Sequence, residues 1–332
     1  MCRTGVFYGE ALATYGFGEN HPFGNDRMNA FWKKFQSESN VVASTGEVVV
    51  EQPEIATEQD VLAFHDRDYV EFVKAASKHG GVPLDKGDTP AFKGVFEAAL
   101  YAVGSTLAGL DFVIAGKDRA GNRIDHAFNP IGGLHHAMRD AASGFCVFND
   151  IGVAIMAARS KYNIRRIAYV DIDAHHGDGV FYEFEQDLEL YFADIHEDGR
   201  YLFPGTGFPA ETGKGIAAGT KLNIPVQPEA GDETFITEFA KVEKFVEDAN
   251  PELIIMQCGA DSLAGDPITH LQYSEKAHWH AADVLHRLAH KHCHGRIIAL
   301  GGGGYNRDNI GAAWTEVVKT FANDFPKKRA IH

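Results

Sequence analysis

Two residue types that bind metal ions lie close together near the middle of the chain. The stretch YVDIDAHHGDGV, residues 169–180, follows an apolar run and contains three aspartates and two adjacent histidines. If residues 166–173 form a strand, Asp171 and Asp173 point to one side, and His175 continues that series past the strand end. A carboxylate and an imidazole suit Zn²⁺, with Fe²⁺ as the alternative. Two ligands do not complete a site, so a third must come from elsewhere.

The stretch MQCGADSLAGDP, residues 256–267, offers that third ligand. An apolar run at 253–258 precedes Asp261, and as a strand it would bring Asp261 to the same edge of a parallel sheet. A set of Asp173, His175 and Asp261 leaves coordination positions open for water and substrate, which is typical of a catalytic metal. Simpler interpretations stay open, because Asp173 and His175 also suit a turn and Asp261 also suits a helix cap.

Two further motifs could transfer protons and donate a hydrogen bond. His135 and His136 lie in GGLHHAMRDAASGFCVFND, and histidine titrates near neutral pH, which suits acid–base work beside a metal. Asp171 and Asp178 are the remaining carboxylates that could fix the tautomers of these rings. Tyr305 follows four glycines in ALGGGGYNRDN, where its hydroxyl could bind a developing oxyanion. A surface loop and a packed aromatic ring are the alternative interpretations.

The elements that must position these residues alternate between strands and helices from about residue 148. Runs of β-branched residues predict strands at 166–173, 189–196, 221–226, 253–261 and 296–303, and helical patterns predict helices at 149–162, 232–250, 274–292 and 309–321. This alternation predicts a parallel sheet with helices on both faces. The first third fits the pattern less well, with helices predicted at 25–37, 58–76 and 92–115.

The composition indicates a compact globular protein. Its 332 residues are 45% hydrophobic and 23% charged, without an internal repeat or a linker. We therefore expect a single α/β domain over residues 1–325 and a short basic tail over 326–332. The apolar stretch 94–116 contains two acidic residues and is interpreted as a buried helix, so no membrane partner is expected.

The net charge and the cysteine content limit which class of ligand and which cellular compartment we expect. The formal net charge of −15 disfavours direct binding of nucleic acid and would attract a cationic ligand. The four scattered cysteines do not form a disulfide framework, and no signal-like segment begins the chain, so we expect a cytoplasmic protein.

Six motifs, in order along the chain, resemble the histone deacetylase family, including its bacterial acetoin-utilization-type members. They are GGLHHA, SGFCVFND, VDIDAHHGDG, FPGTG, GADSLAGDP and GGGGYN, and weaker similarity at 21–27 and 64–73 extends the resemblance over nearly the whole chain. The resemblance implies an arginase-like fold, a three-layer α/β/α sandwich on a central, mostly parallel eight-stranded sheet. It also implies a zinc-dependent hydrolase that removes the acetyl or acyl group of N-acetyl-lysine or a similar N-acetyl amine.

The resemblance assigns roles to individual positions. The implied zinc ligands are Asp173, His175 and Asp261. The implied catalytic residues are His135, His136, Asp171, Asp178 and Tyr305. The implied substrate-binding residues are Asp88, Gly144, Phe145, Phe203 and Ile268. A structural K⁺ or Na⁺ is also implied, with Asp171, Asp173, His175 and Asp194 as its candidate ligands, and Asp194 stands where many relatives have serine.

Several functions share these motifs. The substrate is expected to be an acetylated lysine peptide or protein, or a small N-acetyl amine. Acetylpolyamine hydrolysis suits the negative charge, but Ile268 is apolar where an acidic residue near the tunnel mouth would favour a polyamine. Arginase-type hydrolysis would need a two-manganese site with more aspartates. A non-catalytic protein that binds acetyl-lysine is the alternative from a different class, and a homo-oligomer is left open.

Overall fold

A single parallel sheet organises the molecule. The computed structural model describes residues 2–18, 21–38 and 47–323, so the predicted tail at 326–332 lies outside the described residues. The strands are β1 Arg3–Phe7, β2 Glu47–Glu51, β3 His126–Asn129, β4 Ile167–Asp171, β5 Leu190–Glu197, β6 Lys221–Val226, β7 Leu253–Gln257 and β8 Ile297–Leu300. Their order in the eight-stranded sheet is β2-β1-β3-β8-β7-β4-β5-β6, and every neighbouring pair is parallel.

Helices connect the strands and cover both faces of the sheet. They are α1 Glu10–Ala13, α2 Arg27–Ser37, α3 Glu58–Val61, α4 Arg67–Ser77, α5 Val95–Ala115, α6 Asp150–Tyr162, α7 Asp178–Glu183, α8 Asp232–Ala249, α9 Glu275–His292 and α10 Arg307–Ala322. Short 3₁₀ turns occur at Gly215–Ala217 and Ala260–Ser262.

Two apolar cores lie on opposite sides of the sheet, because side chains alternate along each strand. In β4, Ile167 and Tyr169 belong to the core beneath α5 and α6. Ala168 and Val170 belong to the core beneath α8, α9 and α10. The molecule is therefore the three-layer α/β/α sandwich that the sequence predicted.

The longest helix, α5, is a core element. It is long and apolar enough to span a membrane by length and composition alone, but 78% of its most apolar window is buried inside the fold. It packs against α6 and β3. Gly104 lies where α5 meets the segment after β2, and a Cβ there would be 2.3 Å from the backbone nitrogen of Ala56. The burial agrees with the buried-helix interpretation of 94–116.

Some predicted boundaries were wrong. The predicted helix at 58–76 is two helices, α3 and α4, because the backbone at Asp66 is extended and its N–H donates to the carbonyl of Arg139. The predicted strands 253–261 and 296–303 end at Gln257 and Leu300. The glycines after β8 turn the chain away, and Gly302 has a positive φ of 72°.

Capping side chains set the start of the helices that follow the functional loops. The Asn149 side chain accepts a hydrogen bond from the Gly152 N–H at the start of α6. The Asn306 side chain accepts from the N–H groups of Asp308 and Asn309 at the start of α10. Asparagine is a favoured N-cap because its oxygen satisfies an N–H that the helix leaves unpaired. The second cap fixes the chain directly after Tyr305.

Candidate metal centre and proton-transfer site

The predicted functional residues converge at the carboxyl edge of the sheet. Asp171 ends β4, Asp261 lies in the 3₁₀ turn after β7, and Tyr305 follows β8. The loop after β3 carries His135 and His136. These four strands lie side by side as β3-β8-β7-β4, so the loops at their carboxyl ends meet.

Three side chains form a compact candidate metal centre. The Nδ1 atom of His175 lies 3.0 Å from Asp173 Oδ1 and 3.1 Å from Asp261 Oδ2. One ligand atom from each residue lies within 4.8 Å of the other two, and all three residues are buried. The structure therefore brings together the three residues predicted as metal ligands.

The remaining carboxylate oxygens are held by protein donors. Asp173 Oδ2 accepts hydrogen bonds from Gln257 Nε2 at 2.7 Å and from the Gly303 N–H at 2.8 Å. Asp261 Oδ1 accepts from the Ala174 N–H at 2.9 Å. These contacts orient the carboxylates and leave Asp173 Oδ1 and Asp261 Oδ2 facing His175.

The donor set fits a borderline divalent cation. Two carboxylate oxygens and one imidazole nitrogen are ligands that Zn²⁺ and Fe²⁺ accept. Two buried carboxylates in close contact are costly without a compensating positive charge. The space beside them exists because residue 303 is glycine: a Cβ there would lie 2.1 Å from Asp261 Oδ2 and 2.8 Å from Asp173 Oδ2.

The negative potential of this centre shows in the pKa values of its groups. Burial and the charge of Asp173 raise the pKa of Asp261 to about 7. Burial opposes protonation of His175, but hydrogen bonds to Asp173 and Asp261 raise its pKa to about 10. The centre therefore attracts positive charge.

Two histidine–aspartate pairs stand beside the centre. His135 Nδ1 lies 2.8 Å from Asp171 Oδ2, and His136 Nδ1 lies 2.6 Å from Asp178 Oδ1. Because an ionised carboxylate only accepts hydrogen bonds, each ring donates its Nδ1 hydrogen. The two Nε2 atoms then face each other at 3.1 Å.

The two rings differ in protonation. Burial disfavours a charge on His135, but the carboxylates of Asp171 and Asp173 raise its pKa to about 9. Burial and the nearby His135 lower the pKa of His136 to about 4. In this distribution of charge His136 is neutral at neutral pH, and with its Nδ1 hydrogen directed to Asp178 its Nε2 carries no proton.

Tyr305 is placed as a hydrogen-bond donor. Its backbone N–H donates to Asp266 Oδ2 at 2.8 Å, and its ring meets Phe145 edge-on at a centroid distance of 5.7 Å. Burial and the charges of Asp261 and Asp173 raise the pKa of its phenol well above the usual 10. The hydroxyl therefore keeps its hydrogen at neutral pH.

A narrow cavity leads to these groups. Its lining includes His135, His136, Asp173, His175, Gly303 and Tyr305. Phe203, half exposed, meets the His136 ring at a centroid distance of 5.1 Å. Gly144 passes directly against that ring, since a Cβ there would lie 2.4 Å from His136 Cδ2. The predicted wall residues Gly144, Phe145 and Phe203 thus lie beside the histidine pair and the tyrosine.

The other two predicted substrate-binding residues are Asp88 and Ile268. Asp88 is exposed, and its carbonyl accepts a hydrogen bond from His21 Nε2 at 3.0 Å. The next residue, Thr89, accepts from the Phe145 N–H at 3.0 Å, which places Asp88 near the cavity wall. Ile268 is partly buried, and its N–H donates to Asp266 Oδ1 at 3.1 Å.

Asp194 has protein partners at both carboxylate oxygens. Oδ2 accepts from the Gly177 N–H at 2.9 Å, and Oδ1 lies 2.7 Å from His196 Nδ1. His196 Nε2 donates to the Gly207 carbonyl at 2.9 Å, so both ring nitrogens donate. Burial opposes this charge, but Asp194 raises the pKa of His196. A monovalent ion at Asp194 stays a prediction.

Sequence reasoning missed two residues that support the site, Gln257 and Asp150. Gln257 orients Asp173, and its amide at the end of a buried strand was an available signal. Asp150 accepts hydrogen bonds from the Gly133 and Leu134 N–H groups and so holds the loop before the histidine pair. Arg27 is buried against Phe23 and donates to carbonyls of the glycine run before Tyr305.

Comparisons with known proteins agree with this geometry. Residues 21–321 match the family model described as histone deacetylase domain. The acetoin utilization protein AcuC of Bacillus subtilis (strain 168) is 38% identical over 99% of this chain and 83% of its own length. The AcuC protein of Staphylococcus aureus (strain MRSA252) is 33% identical over 96% of this chain and 81% of its own length.

Two solved structures share the fold over most of their length. The HD domain of HDA15 has a TM-score of 0.85 and 26% identity, and the match covers 97% of this chain and 90% of that one. An HDAC homolog in complex with SAHA has a TM-score of 0.83 and 27% identity, with 98% and 86% covered. The chain therefore belongs to the histone deacetylase family.

Proposed function

We propose that this protein is a zinc-dependent amidohydrolase that removes the acetyl or acyl group from N-acyl-lysine or a similar N-acyl amine. Membership of the family supports a hydrolase of the deacetylase type. One observation carries the proposal: the three candidate metal ligands adjoin the histidine pair, with His135 Nε2 only 3.9 Å from Asp173 Oδ2. A metal and a proton carrier are thus within reach of one substrate carbonyl.

The metal and the protein have separate tasks in this proposal. Zn²⁺ held by Asp173, His175 and Asp261 would supply Lewis acidity to polarise an acyl carbonyl and would lower the pKa of water toward about 7. Fe²⁺ suits the same donors. His136 Nε2 takes a proton from the attacking water and returns it to the leaving amine, while Asp178 holds the ring through Nδ1.

Two other groups stabilise charge that develops in the reaction. His135, paired with Asp171, places positive charge beside the reacting carbonyl. The Tyr305 hydroxyl donates a hydrogen bond to the oxyanion, a contact whose removal typically costs about 10² to 10³ in rate. Neither group forms a covalent bond to the substrate, so both stabilise charge electrostatically.

The aromatic side chains beside the site suit an acyl-lysine substrate. The aromatic rings of Phe145 and Phe203 offer apolar walls for the methylene chain of a lysine side chain. An HDAC homolog of the same fold was solved in complex with SAHA, which supports the binding of a small ligand by this chain. Acetylpolyamines remain the second substrate class, because the net charge of −15 would attract them.

A substrate screen tests the function. The purified protein is assayed with acetyl-lysine peptides, longer acyl-lysine peptides and acetylpolyamines, with and without a chelator. We expect turnover of at least one class, loss with the chelator and recovery with added Zn²⁺. Metal-loaded protein that turns over no acyl amine would favour the non-catalytic binder instead.

Two variants test the assigned roles. Tyr305→Phe should keep its metal and its KM while kcat falls by about 10² to 10³, because only the oxyanion contact is lost. Asp261→Ala should lose both metal and activity. Tyr8→Phe and Asp248→Ala are matched controls, since both side chains are remote from the site. Unchanged kcat in Tyr305→Phe, or full metal content in Asp261→Ala, contradicts the respective role.

The cytoplasmic location, the structural K⁺ or Na⁺ and the single-domain boundary at residue 325 stay predictions.

A further inference from the structure

A second cluster of metal-binding side chains lies at the opposite edge of the sheet. Cys2 directly precedes β1, His126 begins β3, and His286 and His290 lie on α9. One ligand atom from each lies within 4.8 Å of the other three. Cys2 and His126 lie at the amino ends of their strands, whereas the candidate metal centre lies beyond the carboxyl ends.

The fold explains why these four residues meet. Thr4 of β1 is paired with His126 of β3. Because side chains alternate along a strand, Cys2, two residues before Thr4, points to the same face as His126. His286 and His290 are four residues apart and so share one side of α9, the helix that packs over this face.

Three of the separations between the ligand atoms are close to those of a tetrahedral site. The Nε2 atom of His286 lies 3.1 Å from that of His126 and 3.0 Å from that of His290. Cys2 Sγ lies 3.6 Å from His290 Nε2. Around tetrahedral zinc, bonds of about 2.0 Å to nitrogen and about 2.3 Å to sulfur place two nitrogens about 3.3 Å apart and nitrogen and sulfur about 3.5 Å apart.

The orientation of the His126 ring suits a metal ligand. His126 Nδ1 donates to the Gly295 carbonyl at 2.9 Å, so in the neutral ring Nε2 carries a lone pair directed into the cluster. Metal-bound histidines commonly donate their other nitrogen to a carbonyl in this way.

The four side chains are largely shielded from solvent, as in a closed metal site. Cys2, His126 and His286 are buried, and His290 is partly buried. We propose that Cys2, His126, His286 and His290 bind a Zn²⁺ ion that joins β1 and β3 to α9. Four protein ligands leave no position for substrate, so this ion is structural. The proposal is independent of the hydrolase function, because it shares no residue with the candidate metal centre.

Zinc content and cobalt spectra test the proposal together. Protein without a polyhistidine tag is equilibrated with Zn²⁺, and zinc per chain is measured by elemental analysis. We expect two ions in the wild type and one in Asp261→Ala, Cys2→Ser or His290→Ala. His280→Ala, on the same helix but outside the cluster, should keep two.

Cobalt distinguishes the two sites by ligand chemistry. In Co²⁺-loaded protein, a thiolate-to-cobalt absorption band should occur in the wild type and in Asp261→Ala and be absent from Cys2→Ser. The candidate metal centre has only carboxylate and imidazole ligands, so it cannot produce this band. A failure of the proposed hydrolase site would therefore leave the band unchanged.

Two results would overturn the proposal. Wild-type protein without a thiolate band at excess Co²⁺ would show that the four side chains are a hydrogen-bonded cluster only. A band that persists in Cys2→Ser would show that another cysteine binds the ion. If the cluster variants do not fold, the wild type and Asp261→Ala still test the proposal, because both keep all four ligands and the absence of a thiolate band from both would overturn it.

Discussion

An alanine at position 303 should disable the candidate metal centre while leaving the backbone undisturbed. Gly303 lies outside the left-handed region, so an alanine can adopt its conformation. Its Cα, however, faces the two carboxylates of Asp173 and Asp261, and its N–H donates to Asp173. The added methyl group therefore acts on the metal ligands directly.

The size of the effect follows from the contacts. The new Cβ would lie 2.1 Å from Asp261 Oδ2, whereas ordinary contact begins at 3.4 Å, so one of the two must move by 1.3 Å (3.4 − 2.1). Asp261 cannot simply swing away, because its other oxygen is held by the Ala174 N–H. Metal–ligand distances tolerate only about 0.2 Å. We expect the affinity for zinc to fall by about 10- to 100-fold, and kcat/KM to fall by about 10².

Three measurements on one sample check this prediction. Zinc per chain comes from elemental analysis after dialysis, kcat/KM from the deacetylation assay, and folding from the thermal unfolding midpoint. Gly231→Ala is the matched control, because the nearest atom to its added Cβ is the Gln272 carbonyl at 3.8 Å. A folded Gly303→Ala protein with wild-type zinc content and wild-type kcat/KM would refute the reasoning.

Two further predictions concern a positioning residue and a buried histidine. Asp178→Asn keeps an acceptor for His136 Nδ1 but removes the charge, so kcat should fall by about 10² while zinc content stays unchanged, and an unchanged kcat would contradict the pairing. Burial lowers the pKa of His65 to about 3, and the Asn149 N–H donates to its Nε2 at 2.8 Å, which requires the neutral ring. The unfolded chain takes up this proton below about pH 6.5 and the folded chain does not, so folding stability is lost as pH falls through that window, by about 1.4 kcal/mol per pH unit. In denaturant titrations between about pH 6 and pH 4, His65→Gln should therefore show a shallower decline in the free energy of unfolding, and an equal slope would exclude the assignment.

Much of the site was predictable from local pattern. Strand parity groups Asp171, Asp173 and His175 because side chains alternate strictly, and this depends on nothing outside the segment. The apolar run before Asp261 predicts that it lies at the same sheet edge, since parallel strands present their carboxyl ends together. The pairing of His135 with Asp171 and of His136 with Asp178 came from the resemblance of motifs to a family.

The sheet was only partly predictable. The strands of the second half follow clear apolar runs, and β4 to β8 were predicted within a few residues. β3 has the sequence HAFN and lacks the β-branched residues that mark a strand of the same length such as β8, IIAL. β1 and β2 were likewise missed, and only the resemblance implied eight strands.

What the sequence by itself determined is therefore the chemistry at each strand end, because alternation and helical period act over a few residues. The tertiary structure alone decided other contacts between distant residues. Gly303 approaches Asp173 across 130 positions, and Cys2 approaches His290 across 288. These approaches depend on strand order and register, which the apolar pattern of a single strand does not specify.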